Sequence, residues 1–273
     1  MNKFKISNLI LYLMLFIIFM PLLILIIWSF AKNWPWPYIF PKSMGLRGWE
    51  YLFDNKTKSA TILIRSILIS LIVTVFVFIL TIPSSKALAF GDFKAKKYIE
   101  LLFFSPMIIP SISIAMGIHI QFIRLGLAGR YSGVVLIQAL PCIPYAIRIL
   151  KTGFEIMGRD IEYQAKVLGA NNFQTFIHIS LPLLYPSILT SGSLVFIVSF
   201  SQYFLTALIG SGKIKTFPML MIPLIQSGDR NTGSVFSISF VIIALAVLMI
   251  SESLLKIYYK KRFGEINNVI DKN

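Results

Sequence analysis

Charge is what this sequence has least of. Only 14% of its 273 residues are Asp, Glu, Lys or Arg, against roughly a quarter in ordinary soluble domains, while 56% are hydrophobic. That balance excludes a water-soluble domain and predicts an integral membrane protein. Cysteine is almost absent: the single thiol, Cys142, has no second cysteine in the chain, which excludes a disulfide framework. The only two histidines, His119 and His178, fall on opposite sides of the membrane in the topology expected below, so no metal cluster can be built from them, and neither a catalytic nor a metal site is expected. No GxxxxGK[ST] phosphate loop occurs, so ATP is not bound through that motif. Asp and Glu are missing from the middle of every apolar stretch. Proton- and cation-coupled carriers keep acids there, and the lack of them argues for energy supplied from outside the chain.

What is present is a set of six apolar stretches, at about 9–30, 61–82, 98–123, 132–150, 187–209 and 235–258. Each is near the roughly 20 residues that cross a bilayer as a helix. The first is too long for the core of a cleaved signal peptide, and it does not end at small residues. Pro21 is expected to kink it, with Trp28, Trp34 and Trp36 marking the far interface. The third stretch holds Pro106 and Pro110 and the fourth Pro141 and Pro144, so both are expected to be bent or partly unwound. The chain has 26 Lys and Arg against 11 Asp and Glu. These cations flank apolar spans, as the positive-inside rule and anionic lipid require, so the bilayer and not nucleic acid is the expected partner. Six spans put both termini on one side. The termini and loops on that side, with the adjoining span ends, hold slightly more than half of the cations, which predicts cytoplasmic termini.

Residues 160–182, DIEYQAKVLGANNFQTFIHISLP, interrupt the apolar pattern on the side assigned to the cytoplasm. Ile161, Ala165 and Leu168 share a helical face, and Glu162 and Lys166 are spaced as an i,i+4 pair. Gly169 stands where a left-handed cap would end the helix. Asn171 and Gln174 are spaced as a capping box for a second helix, with Phe173, Phe176 and Ile177 along one side. Pro182 is expected to mark a further break.

Gly169, then nine residues, then Ile179-x-Leu181-Pro182 resembles the EAA loop in permease subunits of binding-protein-dependent ABC importers. The motif's Glu-Ala-Ala would fall on Tyr163, Gln164 and Ala165, so only Ala165 agrees, and the acidic residue, Glu162, stands one place early. WPWPYIFP, SPMIIPSISIAMGI and SFSQYFLTALIGSGKIKTFPML extend the resemblance over nearly the whole chain, toward the spermidine/putrescine and ferric-iron type.

The resemblance implies an all-α polytopic membrane protein of the bacterial inner membrane, with six transmembrane helices and a cytoplasmic coupling-helix loop. An N-terminal helix and external loop (1–58) would precede a five-helix permease core (59–273). Glu162, Ala165, Gly169, Phe173, Phe176, Ile179, Leu181 and Pro182 would couple the chain to ATPases. Its partners would be a second permease subunit, two cytoplasmic ATPase subunits that bind ATP and Mg, and an external solute-binding protein. No cofactor would bind this chain. Polar groups inside the spans, Gln138, Ser201, Gln202 and Tyr203, are candidates for the translocation pathway, although such groups also join membrane helices to one another. The competing readings are a secondary carrier or channel working without an ATPase, and a membrane-embedded assembly factor. The solute is not legible: polyamine, ferric iron, thiamine and phosphonate all remain open.

Overall fold

Helix α6 (Tyr131–Met157) carries the largest share of buried residues among the long helices, and the neighbouring elements are placed around it. The computed structural model describes residues 2–34, 38 and 41–270. Trp36, expected in an aromatic belt, and the side chains of Lys261 and Arg262 lie outside the described residues. In chain order the elements are α1 (Asn2–Ser29), β1 (Ala31–Asn33), β2 (Ser43–Met44), α2 (Arg47–Phe53), α3 (Ser59–Phe90), α4 (Lys96–Ile108), α5 (Ser111–Arg124) and α6. They continue with α7 (Asp160–Val167), α8 (Asn172–Thr175), a π-helical turn (Phe176–Ser180), α9 (Leu181–Phe200), α10 (Phe204–Gly210), α11 (Phe217–Gln226) and α12 (Arg230–Ile270). Five runs are long and apolar enough to cross a membrane, and the bent pair α4–α5 makes a sixth if it counts as one span.

The chain divides into two compact units, Met1–Ile64 with Phe217–Ile243, and Arg65–Thr216 with Ala244–Asn273. The first unit thus combines the N-terminal elements with α11 and the start of α12. Within that unit the apolar stretch of α1 buries almost nothing of its own, as suits a helix sheathed in lipid. Asn231 Nδ2 donates to the carbonyls of Trp28 and Ser29, both at 3.0 Å, and Phe217 stacks on Phe236 at 5.0 Å. The antiparallel β1–β2 pair, with Ala31 opposite Met44, was not expected from the sequence.

In the second unit, Ile69, Val73 and Val77 of α3 share one buried cluster with Val134, Ala139, Cys142 and Ala146 of α6 and Val195 of α9. At the other end of α6, Phe154 meets Phe90 of α3 edge-on at 5.7 Å and packs against Leu184 of α9. Gly153 permits that approach: a Cβ there would lie 2.3 Å from Ser187 Oγ.

Three expectations are corrected. The fourth stretch is one uninterrupted helix through Pro141 and Pro144, whereas the third breaks before Pro110, with α4 and α5 bent by 104°. The fifth is not one helix over 187–209, because α9 ends at Phe200 and Ser201, Gln202 and Tyr203 separate it from α10. Pro182 does not break the chain; it stands second in α9, directly after the π turn. A proline ring clashes with the carbonyl four residues back, here His178, and widening the turn around His178 relieves that clash without ending the helix.

Candidate functional site: the 160–182 loop

Two helical ends and one buried carboxylate set the shape of this loop. Helix α7 has Asp160 and Glu162 in its first turn and Lys166 in its last, the polarity that complements a helix dipole. It stops at Leu168. Gly169 takes φ +90°, its N–H donates to Lys166 O (3.0 Å) and that of Ala170 to Ala165 O (3.0 Å), the two bonds of a Schellman cap. A Cβ on Gly169 would meet nothing within 4 Å, so the glycine serves the backbone angle and not close packing. The next helix starts at Asn171, whose Oδ1 accepts from Gln174 N (2.8 Å) while Gln174 Oε1 accepts from Asn171 N (3.0 Å). This is the capping box expected from the sequence.

The inward face of α7 differs from expectation. Glu162 and Ala165 are the buried residues, each 6% exposed, while Leu168 is 87% exposed. The partner of Glu162 is not Lys166. Lys86 Nζ of α3 donates to Glu162 Oε1 at 2.7 Å and Ser180 Oγ of the π turn donates to the same oxygen at 2.6 Å. One carboxylate therefore joins α3, α7 and the entry to α9. Burial by itself would raise the pKa of Glu162. The bonds from Lys86 and Ser180, with the charges of Lys86 and Lys166, outweigh it and hold the group below the ordinary glutamate value. Beside the pair lies a concavity of about 400 Å³ bordered by Arg159, Tyr163, Lys166 and Asn172.

The outward face is apolar. Val167 and Leu168 are each 87% exposed and Phe173 is 74% exposed. Phe176, Ile177, Ile179, Leu181 and Pro182 are half-buried, so Phe173 stands out alone where a Phe173–Phe176 pair was expected. Sequence reading missed Lys86 and Ser180, whose roles depend on contacts across the fold. It also missed Val167, which the hydrophobic run next to the terminating glycine does signal.

The membrane candidates separate into two groups. Gln138 is 1% exposed; its Nε2 donates to Thr206 Oγ1 (2.7 Å) and its Oε1 accepts from Ser199 Oγ (2.8 Å). It bridges α9 and α10 from α6. Ser201, Gln202 and Tyr203 form the break itself, with Gln202 O accepting from Thr206 Oγ1 at 3.0 Å. Among the described residues no group of three His, Cys, Asp or Glu could hold a metal.

The arrangement of spans and loop has counterparts. A protein of Salmonella typhimurium that carries the provisional name 2-aminoethylphosphonate transport system permease protein PhnV is 26% identical over 89% of this chain and 91% of its own. The molybdenum transport system permease protein ModB of Haemophilus influenzae is 27% identical over 78% of this chain and 96% of its own. Among solved structures, a bacterial ABC transporter involved in the import of the acidic polysaccharide alginate shares the fold. Its TM-score is 0.70 at 16% identity, over 94% of this chain and 97% of that one. The family model of the binding-protein-dependent transport system inner membrane component matches residues 82–263, which include the loop, its Lys86 anchor and the membrane elements α4–α5, α6 and α9 with most of α12. The chain belongs to that family, the permease subunits of ABC importers.

Proposed function

We propose that residues 160–182 form the cytoplasmic coupling element of this permease, docking on a separate ATPase subunit and passing its movement to α3 and α9. One observation carries the reading: Val167, Leu168 and Phe173 stand exposed on a helix pair whose underside is tied to both membrane helices through Glu162. Apolar side chains exposed outside the bilayer need a partner to cover them. A groove on an ATPase supplies that cover, and the rigid tie below makes the contact transmit force instead of folding away. The two states of such a transporter are biased only by contacts that differ between them. Those contacts fall here, and the assembly is completed by a second permease and an external binding protein. Of the loop residues, Phe173 makes the contact, Phe176, Ile179, Leu181 and Pro182 shape the path into α9, and Glu162, Ala165 and Gly169 hold the frame.

The solute we propose is a small oxyanion, not a polyamine or ferric ion. The relatives are named for molybdenum and, provisionally, 2-aminoethylphosphonate, and the spans lack the mid-membrane acids that a cation would seek. Ser201, Gln202 and Tyr203 line its path.

The docking claim is tested by Leu168→Ala/Phe173→Ala. Each large apolar side chain, once covered, contributes roughly 1.5–3 kcal/mol, so the double variant should reach the membrane normally, yet lose co-purification with the ATPase and stop transporting. A well-expressed double variant that binds the ATPase and transports as the parent does would refute the assignment. For the solute, labelled molybdate or 2-aminoethylphosphonate uptake should exceed uptake of putrescine or ferric citrate; the reverse order would reject an oxyanion.

A further inference from the structure

The first unit contains a second polar cavity, of about 510 Å³, where α1 ends and α12 begins. Its border includes Trp28, Lys32, Trp34, Arg47, Asp229 and Arg230. Three of these are cations and one is an anion, and the anion is already engaged. Asp229 pairs with Arg47 and also accepts from Thr232 N (3.2 Å) and Thr232 Oγ1 (2.9 Å) at the start of α12. Among the described residues Lys32 and Arg230 have no carboxylate partner. Arg230 is held over the face of Trp28, 5.3 Å from the ring centroid, and Trp34 braces that ring edge-on at 6.0 Å. The Trp28 Nε1–H is buried and has no acceptor. Being buried, that N–H is closed to a ligand in the cavity, and Trp28 serves the site through its ring face. Surplus positive charge in a cavity of this size, with one guanidinium positioned by an indole ring, describes a receptor for an anion with several acceptor oxygens.

We infer that this cavity binds a tetrahedral oxyanion of the phosphate class through Lys32 and Arg230, with the Trp28 ring positioning the guanidinium. Its position agrees with that chemistry. Trp28 is at the last turn of the α1 span and Arg230 at the first residue of the α12 span, so the cavity opens at the level of the lipid headgroups. Tryptophan and basic side chains gather there. The oxyanion is either the headgroup phosphate of an acidic phospholipid or a free phosphate-like ion. The inference does not depend on the 160–182 loop or on the solute proposed above.

The experiment uses the assembled transporter in detergent and two probes, phosphatidylglycerol scored by native mass spectrometry and labelled inorganic phosphate scored by equilibrium dialysis. The parent should retain at least one probe. Lys32→Gln/Arg230→Gln should weaken that binding roughly tenfold or more, as expected for lost charge-assisted bonds, and Lys32→Arg/Arg230→Lys should restore it. Should the double Gln variant fail to assemble, Lys32→Gln alone, at an exposed position, should still weaken binding. Retention of phosphatidylglycerol without phosphate binding identifies a lipid site, whereas millimolar phosphate binding identifies a site for a free ion. No binding of either probe by the parent, or unchanged binding by the charge-neutral variants, overturns the inference.

Discussion

Glu162 keeps its charge although only 6% of its surface is exposed, because Lys86 and Ser180 both donate to it. Its pKa is held below the ordinary glutamate value, so its contribution to stability is present above the unfolded-state pKa and lost as pH falls through the folded one. The ordinary value is about 4.3. The melting temperature of the permease should therefore be flat in this contribution from pH 8 to 5 and fall only in more acidic buffer. Glu162→Gln keeps the shape but not the charge, and should remove that acid limb, lower stability at neutral pH and reduce uptake several-fold. A parent that loses stability between pH 7 and 6 through this group would contradict the assignment. Lys86 is about one-third exposed, so screening keeps the ion pair below the strength of a fully buried one. At Gly169 the demand is on the backbone alone. Gly169→Asn should be tolerated better than Gly169→Val, since a β-branched residue at positive φ costs about 1 kcal/mol or more; equal uptake by the two variants would remove the Schellman cap from the argument. Sequence spacing named Glu162 and Gly169 as important yet paired Glu162 with Lys166. Spacing within one helix registers only neighbours on that helix, and the true partner is 76 residues away.

At the scale of elements, hydropathy located the membrane helices and missed where they stop. The fifth stretch stays apolar past Phe200, but the helix ends there: the Gln202 N–H closes on Ser199 O, three residues back, a change that an average over side-chain hydropathy does not register. Gln138 spans that interruption, holding Ser199 before it and Thr206 after it. Gln138→Leu would leave two buried hydroxyls without their amide partner and should destabilise the permease by about 1–2 kcal/mol, read as a lower melting temperature. Gln202→Ala, in the break itself, should change the apparent affinity for solute with little effect on melting. If the two variants exchange these phenotypes, the path runs past Gln138 instead. The capping box and the glycine terminator were legible because their signals are local. The π turn was not, because a proline after a run of ordinary residues reads equally as a stop or as a widened helix, and tertiary packing decides between them.

The whole chain's topology depends on whether the bent pair α4–α5 crosses the membrane or turns back. Its helices have 13 and 14 residues, about 20 Å each at 1.5 Å per residue, so neither alone spans a hydrocarbon core of roughly 30 Å. Contacts in the second unit favour crossing. Ser85 Oγ of α3 donates to Ile147 O of α6 at 3.4 Å, and further along both helices Phe90 of α3 meets Phe154 of α6. Lys86 and Glu162 extend that second contact to the loop beyond α6. The two helices therefore run parallel. A chain that leaves α3 on one face and enters α6 on the other must recross between them, and only α4–α5 is available to do so. We propose that the pair crosses, which predicts six crossings, both termini on one side, and residues 42 and 172 on opposite faces of the membrane. Single cysteines at Lys42 and Asn172, in a Cys142→Ser background, test this directly, since three crossings separate the two positions if the pair spans and two if it re-enters. Lys42→Cys should label with an impermeant maleimide in intact cells, and Asn172→Cys only after permeabilisation. Labelling of both from the same side would make α4–α5 re-entrant, and labelling of Asn172→Cys alone in intact cells would invert the whole assignment and take residues 160–182 away from any cytoplasmic ATPase.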